Sequence, residues 1–362
     1  TRTAFTVTRR AFDILRTGST SRTLFILNIR IRKITMCRPA IGRCSFALDV
    51  SILVERAGYF RCCVDDDHIK SAAIGFTDFF TADNLSNVLN QISDVGIMAA
   101  GATLVILIAG IDLSVAGNMA LTMMFTAWLY AEKQWPFVIT LVAGLALGAL
   151  VGLVNGLLAT YGRVQAFVAT LATMSACLGL ALVITNGNTI NGFPEWFVNL
   201  TSAELFGFIP LQAVLMIAIY AALAFWLRFR PSGRALYAIG GNEEVARLSG
   251  IPVRLTKTFV YMIAGALAAV AGWINMSTLD SAQPTAGANY LLNVIAVVVI
   301  GGASLSGGVG SMGSTFIGLL IIGVLNNGLG LTGVNPNLQP VVVGAVILAA
   351  VLTDRKARKN HA

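Results

Sequence analysis

A run of 73 residues without a charged side chain, residues 281–353, limits what this chain can fold into more than any other feature of the sequence. Soluble globular domains carry roughly 25% charged residues, whereas this chain of 362 residues carries 12% and is 56% hydrophobic. About 20 helical residues cross the hydrocarbon core of a bilayer, so the run is long enough for three crossings. The sequence therefore predicts an all-α polytopic membrane protein.

Shorter uncharged stretches precede this run along most of the chain. Each stretch that is long enough to cross the bilayer is interpreted as one helix, and Gly- and Pro-containing turns divide the long run into three. The nine predicted spans are residues 94–111, 114–130, 137–160, 165–185, 211–227, 258–276, 291–305, 313–330 and 338–353.

The distribution of Lys and Arg predicts the orientation of these spans, because short loops rich in these residues stay in the cytoplasm. The loop of residues 228–257 carries six of them and the tail after residue 353 carries four. Both segments are therefore predicted to be cytoplasmic, and the four spans between them agree with this. The same count leaves residues 71–93 on the far side, so a tenth span, the first in the chain, is missing.

Residues 1–75 do not supply this missing span. The first 70 residues hold 13 Lys/Arg and 6 Asp/Glu, and their most apolar stretch, residues 41–60, contains four charged side chains. Each charge costs roughly 2.5–3.5 kcal/mol at the bilayer centre. We interpret residues 1–75 as an atypical basic leader that is not a native transmembrane segment, and residues 76–362 as the transmembrane domain. An out-of-frame translation would produce such a leader, and a genuine basic extension is the alternative.

The scarcity of reactive side chains excludes several classes of protein. The chain has two histidines, His68 and His361, and four of its five cysteines lie in the leader. We therefore expect no catalytic residues, no metal site, no disulfide framework and no cofactor. No nucleic-acid-binding motif accompanies the net charge of +8, and the glycines of residues 301–310 lack the Lys of a phosphate-binding loop. If ATP drives this protein, hydrolysis is expected on another chain.

A few polar residues within the apolar segments are candidates for a translocation path. Asp112 lies between two apolar runs, where a carboxylate is a functional hypothesis by default, although it could equally cap the helix that begins at Leu113. Neutral amide groups near apolar spans favour a neutral sugar over an ion. One of Asn326 and Asn327 is expected to bind a neighbouring helix. The predicted path residues are Asp112, Ser114, Gln283, Asn326 and Asn327.

The basic loop of residues 228–257 contains a predicted short helix. Asn242 is a suitable N-cap, Glu243 and Glu244 occupy the first turn, and Gly250 ends the helix. Such a helix, projecting from the membrane, offers a motor subunit a surface to bind. An ordinary basic loop placed by the positive-inside rule is the alternative. The predicted coupling residues are Gly240, Gly241, Asn242, Glu243, Glu244, Arg247, Ser249 and Gly250.

Two pairs of short segments suggest an internal repeat. Residues 109–114 are weakly similar to residues 301–306, and residues 153–157 are similar to residues 325–329. Both pairs fall in spans of the same predicted direction, which suits a parallel repeat with interrupted helices facing a shared path. Chance similarity among Gly- and Leu-rich helices is the alternative.

Several blocks occur in one order along residues 76–362 and resemble a known family. They are Phe79-Phe80-Thr81, Gly110-Ile111-Asp112-Leu113-Ser114-Val115, Gly162-Arg163-Val164-Gln165-Ala166-Phe167, Gly240-Gly241-Asn242-Glu243, Arg247-Leu248-Ser249-Gly250-Ile251, Ser281-Ala282-Gln283-Pro284-Thr285-Ala286-Gly287 and Gly323-Val324-Leu325-Asn326-Asn327-Gly328-Leu329. The chain is similar here to the ribose-type permeases of bacterial ABC sugar importers, within the branched-chain amino acid/ribose permease superfamily.

The resemblance implies about ten spans per subunit in the bacterial inner membrane and a role in monosaccharide import rather than an enzyme activity. It also implies a cytoplasmic ABC ATPase, a periplasmic sugar-binding protein and a second permease subunit as partners, together with membrane lipid. Which sugar is carried, and whether the permease pairs with itself or with a sister subunit, both stay open.

Two other classes of membrane protein remain as alternatives. A stand-alone secondary transporter would normally need protonatable or Na⁺-coordinating groups at mid-membrane, and the uncharged residues 281–353 argue against a proton relay there. A membrane-embedded enzyme is disfavoured because the predicted spans lack histidines and a cluster of carboxylates.

Overall fold

The computed structural model describes residues 28–36, 46–54, 58–62, 79, 81–205, 207–335 and 338–348. The chain divides into two compact units, residues 1–74 and residues 75–362. In the first unit, Asn28–Met36 (β1), Phe46–Val54 (β2) and Gly58–Cys62 (β3) form an antiparallel sheet with β2 in the middle. The interpretation of residues 1–75 as a non-native leader stays a prediction, and the tail after residue 353, which was predicted to be cytoplasmic, lies outside the described residues.

The described residues of the second unit are mostly helical. They include two pairs of two-residue strands, Ile190–Asn191 (β4) with Ser281–Ala282 (β7) and Glu204–Leu205 (β5) with Ile209–Pro210 (β6). The helices are Ala82–Leu107 (α1), Ser114–Ala131 (α2), Phe137–Thr160 (α3), Ala166–Ile184 (α4), Glu195–Ser202 (α5), Leu211–Phe229 (α6), Pro231–Gly241 (α7), Glu243–Leu248 (α8), Val253–Leu279 (α9), Tyr290–Ile300 (α10), Met312–Leu331 (α11) and Gln339–Leu348 (α12).

Each predicted span corresponds to one helix of this unit. Six helices in the described part of the chain, α1, α3, α4, α6, α9 and α11, are long and apolar enough to cross a membrane. The other three predicted spans correspond to α2, which has 18 residues, and to the shorter apolar helices α10 and α12. The prediction of an all-α polytopic membrane protein is confirmed, with the short strands as local additions.

The first predicted span was placed too late in the chain. α1 begins at Ala82 rather than at residue 94, because Thr81 caps it by accepting a hydrogen bond from the N–H of Asn84 at 3.2 Å. Two polar side chains of its first half find partners elsewhere in the unit, because Asn84 pairs with Asn327 and Asn90 accepts a hydrogen bond from Gln212. α1 packs against α6, α9, α10 and α11 and forms the centre of this unit.

The span predicted over residues 291–305 is shorter than expected. α10 ends at Ile300 after 11 residues, about 16 Å of helix, because Gly302 adopts a left-handed φ of +80°. Residues 301–311 then turn back, and Ser311 opens α11 with a capping box to Ser314. α10 is therefore too short to cross the bilayer as a continuous helix, which agrees with an interrupted segment. The parallel repeat itself stays a prediction.

Small residues let the longest helices approach closely, as is usual in membrane helix packing. A Cβ on Gly152 of α3 would lie 2.1 Å from the carbonyl oxygen of Tyr261 in α9, and one on Gly265 would lie 2.2 Å from the carbonyl oxygen of Gly148. A larger side chain at these positions would separate the two backbones. This α3–α9 contact therefore depends on glycine at both positions.

Candidate functional site

A polar cavity of about 330 Å³ lies between α1, α10, α11 and α12. Its remaining lining is Ile, Val, Leu and Gly, so the polar groups stand out against an apolar wall. A volume of this size is at the lower end of the range for small-molecule sites. The polar side chains that line it are Gln91, Tyr290, Asn293, Asn326 and Gln339.

Helix periodicity explains why one face of α11 reaches this cavity. Leu319, Ile322, Gly323 and Asn326 all line it, and residues three, four and seven apart share one side of a helix. Within the described chain, the Oδ1 atom of Asn326 is buried and has no hydrogen-bond partner. An unpaired buried acceptor is costly, so the cavity presents a group that a donor from a ligand or from water would satisfy.

Asn327, the next residue, does not line the cavity. Its Nδ2 donates to Oδ1 of Asn84 at 2.9 Å, and Nδ2 of Asn84 donates back to Oδ1 of Asn327 at 3.0 Å. This reciprocal buried pair joins α11 to the start of α1. The structure thus separates the two asparagines, one at the cavity and one bound to a neighbouring helix.

A buried carboxyl group supports the wall of this cavity. Asp94 lies near the middle of α1, and its Oδ1 accepts a hydrogen bond from the N–H of Val95 at 2.6 Å. Its Oδ2 accepts from Oη of Tyr290 at 2.8 Å and from Nδ2 of Asn275 at 3.3 Å. Asn275 Nδ2 also lies 2.7 Å from Oη of Tyr290. The three side chains of Asp94, Asn275 and Tyr290, from α1, α9 and α10, are called the Asp94 network below.

The sequence reasoning missed this network. Asp94 was placed at the boundary of the first span, where a carboxylate attracts no attention. The signal that could have found it is the amphipathic pattern before residue 94, because Val88 and Ile92 share a face with Val95 and extend the helix through Asp94.

A second buried polar network surrounds Asp112. Its Oδ1 accepts from the backbone N–H of Ser114 at 2.8 Å and from the Ser114 hydroxyl at 2.6 Å, at the first residue of α2. The Ser114 hydroxyl accepts in turn from Nδ2 of Asn155 at 2.7 Å, and Thr173 donates to Asn155 at 2.6 Å. The capping geometry that the sequence left open is therefore present, and the chain of bonds joins α2, α3 and α4.

None of Asp112, Ser114 and Gln283 lines the polar cavity. Asp112 follows the far end of α1, whereas the cavity lies against its first half. Gln283 is exposed, and its Nε2 lies 3.4 Å from the hydroxyl of Ser281. Of the five predicted path residues, the cavity therefore includes Asn326 alone.

The predicted helix in the basic loop is present as α8. Oδ1 of Asn242 accepts from the N–H groups of Glu244 at 3.0 Å and Val245 at 3.1 Å, which is an N-cap. Gly250 adopts a φ of +82° two residues after the helix ends. α7 precedes α8 directly, so the two short helices form one segment, residues 231–250, which is called the coupling segment below.

Acidic and basic side chains of the coupling segment are mostly paired with one another. Nζ of Lys257 donates to Oε2 of Glu243 at 2.6 Å, and Arg247 binds Glu244 on the same helix. The hydrogen bond from Arg247, together with its charge, lowers the pKa of the Glu244 carboxyl. On α8 the exposed side chains that remain for a partner are apolar, because Val245 and Leu248 are 57% and 74% exposed. These two residues were missed, since exposure cannot be read from the sequence.

Backbone contacts connect the coupling segment to the helices of the cavity. A Cβ on Gly240 would lie 1.9 Å from the carbonyl oxygen of Leu107, the last residue of α1, and 2.3 Å from the nitrogen of Gly308. The N–H of Gly308 donates to that same carbonyl at 3.0 Å. We call this contact of Gly240, Leu107 and Gly308 the glycine joint. α7 is therefore in backbone contact with the end of α1 and with the loop between α10 and α11.

A larger cavity, of about 520 Å³, lies among α5, α6 and α9 and is lined almost entirely by apolar side chains. It offers little to a polar solute, so the smaller polar cavity is the better candidate despite its size.

Comparisons with known proteins identify the family to which this chain is similar. Residues 84–351 match the model of the family described as "Branched-chain amino acid transport system / permease component". The chain is 46% identical over 288 residues to the ribose import permease protein RbsC of Escherichia coli, covering 77% of this chain and 88% of that protein. It is 47% identical to the protein of the same name from Bacillus subtilis, over 75% and 85% of the two chains.

More distant relatives and one solved structure complete the comparison. The D-allose transport system permease protein AlsC of Escherichia coli is 37% identical, over 78% of this chain and 86% of that protein. A chain from the structure of PsaBC from Streptococcus pneumoniae in complex with Fab matches 78% of this chain and 95% of that chain, at 15% sequence identity. Its TM-score is 0.45, and we draw no conclusion from this match. From the family match and the identities above 30%, the chain belongs to the branched-chain amino acid transport system permease component family.

Proposed function

We propose that this chain is the transmembrane subunit of an ABC importer that moves a ribose-like monosaccharide across the bacterial inner membrane by alternating access. One observation carries the proposal: identity is 44–47% to relatives named for ribose import, against 37% and 35% to those named for allose and xylose transport. The multi-pass helical fold and the polar cavity suit passage of a neutral solute.

The coupling segment is proposed to bind the cytoplasmic ATPase subunit, on which ATP is hydrolysed. The charges of α8 are paired, so the exposed side chains of Val245 and Leu248 supply an apolar surface for that partner. Gly240 and Gly241 end α7 beside it, Ser249 and Gly250 close α8, and the segment lies on the cytoplasmic side together with the C-terminus. A periplasmic sugar-binding protein and a second permease subunit complete the proposed transporter.

The polar cavity is proposed as part of the translocation path, with Asn326 as its contribution from the predicted set. A transport role for Asp112, Ser114, Gln283 and Asn327 stays a prediction. Asp94 is the kind of mid-membrane carboxyl group that a proton-driven secondary transporter uses, and this favours that class as the second candidate.

Reconstitution separates these two candidates. The chain is placed in vesicles with and without the ATPase and the binding protein, and uptake of radiolabelled D-ribose is measured with ATP or with an imposed proton gradient. We expect uptake with ATP and all three proteins together. Uptake by the chain alone, driven by the proton gradient, would overturn the importer assignment.

The docking surface has its own test. Leu248→Glu places a charge on the exposed apolar face of α8, and we expect the ATPase to be lost when the complex is purified through this chain. Leu205→Glu is the matched control, because Leu205 is 43% exposed in β5 at another loop. Equal recovery of the ATPase with both variants would count against docking at α8.

A further inference from the structure

Three features of the described residues are candidates for a further site: the polar cavity with the Asp94 network, the Asp112 network, and the apolar cavity among α5, α6 and α9. The Asp112 hydrogen bonds serve the start of α2, and nothing in the structure shows what covers the apolar cavity. The polar cavity differs from both, because the unpaired acceptor of Asn326 and the hydroxyl of Tyr290, held by Asp94, both belong to its lining.

The Asp94 network sets the direction of the hydrogen bonds made by the Tyr290 hydroxyl. The Tyr290 hydroxyl donates its proton to Oδ2 of Asp94 at 2.8 Å, so that proton is not available to the cavity. The amide of Asn275 also donates towards Tyr290 and Asp94. With its proton donated to Asp94 and one lone pair accepting from Asn275, the Tyr290 oxygen has only its remaining lone pair to offer the cavity.

Asn326, on α11, also offers the cavity a hydrogen-bond acceptor. In the described part of the chain its Oδ1 is an unpaired buried acceptor on the cavity wall. Gln91, Asn293 and Gln339 add amides, which both donate and accept. Among the described residues the lining has neutral acceptors and amides and no charged side chain, which suits a ligand with several hydroxyl protons to donate.

We infer that this cavity binds a neutral polyhydroxylated sugar directly, and that Asp94 is a positioning residue that keeps Tyr290 as an acceptor towards it. The inference rests on the proposed function and adds to it a sugar-binding site on the permease itself. Asp94 lies behind Tyr290 and acts on the sugar through that hydroxyl. Tyr290 and Asn326 contact the sugar.

The test reports occupancy of the cavity without requiring transport. Gln91 is exposed and lines the cavity, so Gln91→Cys introduces a thiol at its edge in the full chain, held in lipid nanodiscs. The alkylation rate of that thiol is followed by mass spectrometry of its own peptide, so the native cysteines do not interfere. D-ribose is the probe, and cyclopentanol, a ring of similar size with one hydroxyl, is the control.

We expect D-ribose to slow alkylation by about tenfold at about ten times its dissociation constant, and cyclopentanol to leave the rate unchanged. Asn326→Ala and Tyr290→Phe should each raise the dissociation constant by about 5- to 10-fold, the effect of losing one hydrogen bond. Tyr130→Phe, on α2, is the matched control and should leave it unchanged. No protection, or equal protection by both compounds, would overturn the inference.

The positioning role of Asp94 requires a separate comparison. Asp94→Asn can donate to Tyr290 and reverse its hydroxyl, so we expect it to weaken sugar protection about as much as Tyr290→Phe does. In the Tyr290→Phe background it should have no further effect, because its action passes through that hydroxyl. Asp83→Asn, an exposed position on the same helix, is the control. Additive effects, or an unchanged dissociation constant, would overturn the role.

Loss of folding cannot mimic this result. Melting temperatures are measured for every variant. Tyr290→Phe leaves Asp94 with its hydrogen bonds from Val95 and Asn275. The cavity can therefore be tested with this variant even if Asp94→Asn does not fold. Failure of ATP-driven uptake by the wild-type complex would refute the proposed function, whereas wild-type uptake without sugar protection would refute this inference alone.

Discussion

Adding one methyl group at Gly240 should disrupt the glycine joint. The new Cβ would lie 1.9 Å from the carbonyl oxygen of Leu107 and 2.3 Å from the nitrogen of Gly308. Carbon–oxygen contacts in proteins are normally about 3.3 Å or longer, so α7 would have to move away from α1 by about 1.4 Å. Both obstructing atoms belong to the backbone and cannot rotate aside.

The neighbouring glycine supplies a matched control. A Cβ on Gly241 would meet no atom within 4 Å, so Gly241→Ala should stabilise the helix by about 0.5–1 kcal/mol. Gly240→Ala should instead cost about 3 kcal/mol, the upper part of the range for overpacking. The two variants should therefore differ in melting temperature by on the order of 6 °C for a unit of this size.

The assay combines stability with coupling. Melting temperatures are measured on purified protein, and the number of ATP molecules hydrolysed per sugar imported is measured in vesicles that contain the complete transporter. We expect Gly240→Ala to melt earlier and to hydrolyse more ATP per sugar, because the displaced joint transmits less movement to α1 and to the loop between α10 and α11. The same melting temperature and the same ratio for both alanine variants would refute the reasoning.

Three further predictions concern the other polar contacts. Asn84→Ala and Asn327→Ala should show a coupling free energy of about 1 kcal/mol in a double-mutant unfolding cycle, and additive effects would contradict their pairing. Asp112→Ala should lower the free energy of unfolding by about 1 kcal/mol, because it removes the hydrogen bonds that cap the helix. Asp112→Asn keeps an acceptor oxygen and should stay abundant in the membrane with reduced sugar uptake; normal uptake would end its transport role. Glu243→Arg places a second cation beside Lys257. It should leave ATP hydrolysis intact and reduce sugar uptake. Full uptake by an intact complex would disprove this prediction.

The amino-acid sequence was sufficient to predict the class of protein and most of its helices. Long uncharged stretches have few stable alternatives to membrane helices, because backbone groups in lipid must be bonded internally. The boundaries of α3 were predicted to the residue, since Pro136 and the charged Arg163 limit it on either side. The N-cap of α8 was also predictable, because the Asn242 side chain bonds to N–H groups only two and three residues away.

The errors lie where distant parts of the chain supply the partners. α1 continues through Asp94 because Tyr290 and Asn275, almost 200 residues away in the sequence, bond to that carboxyl group. α10 ends early because residues 301–311 turn back beside the end of α1. The amphipathic pattern of Val88, Ile92 and Val95 indicates that the helix continues, but the sequence does not indicate which distant residues bond to Asp94 or contact the end of α1.

The adjacent residues Asn326 and Asn327 show where this limit lies. Their amides and their place in an apolar helix follow from the sequence, which also indicates that one of them binds a neighbouring helix. Helical geometry turns them about 100° apart, but which one meets Asn84 and which one meets the cavity depends on how α11 is rotated against α1. Packing across the whole bundle sets that rotation. The sequence therefore determined the chemistry available to this protein, and the tertiary contacts decided which of those groups face the cavity.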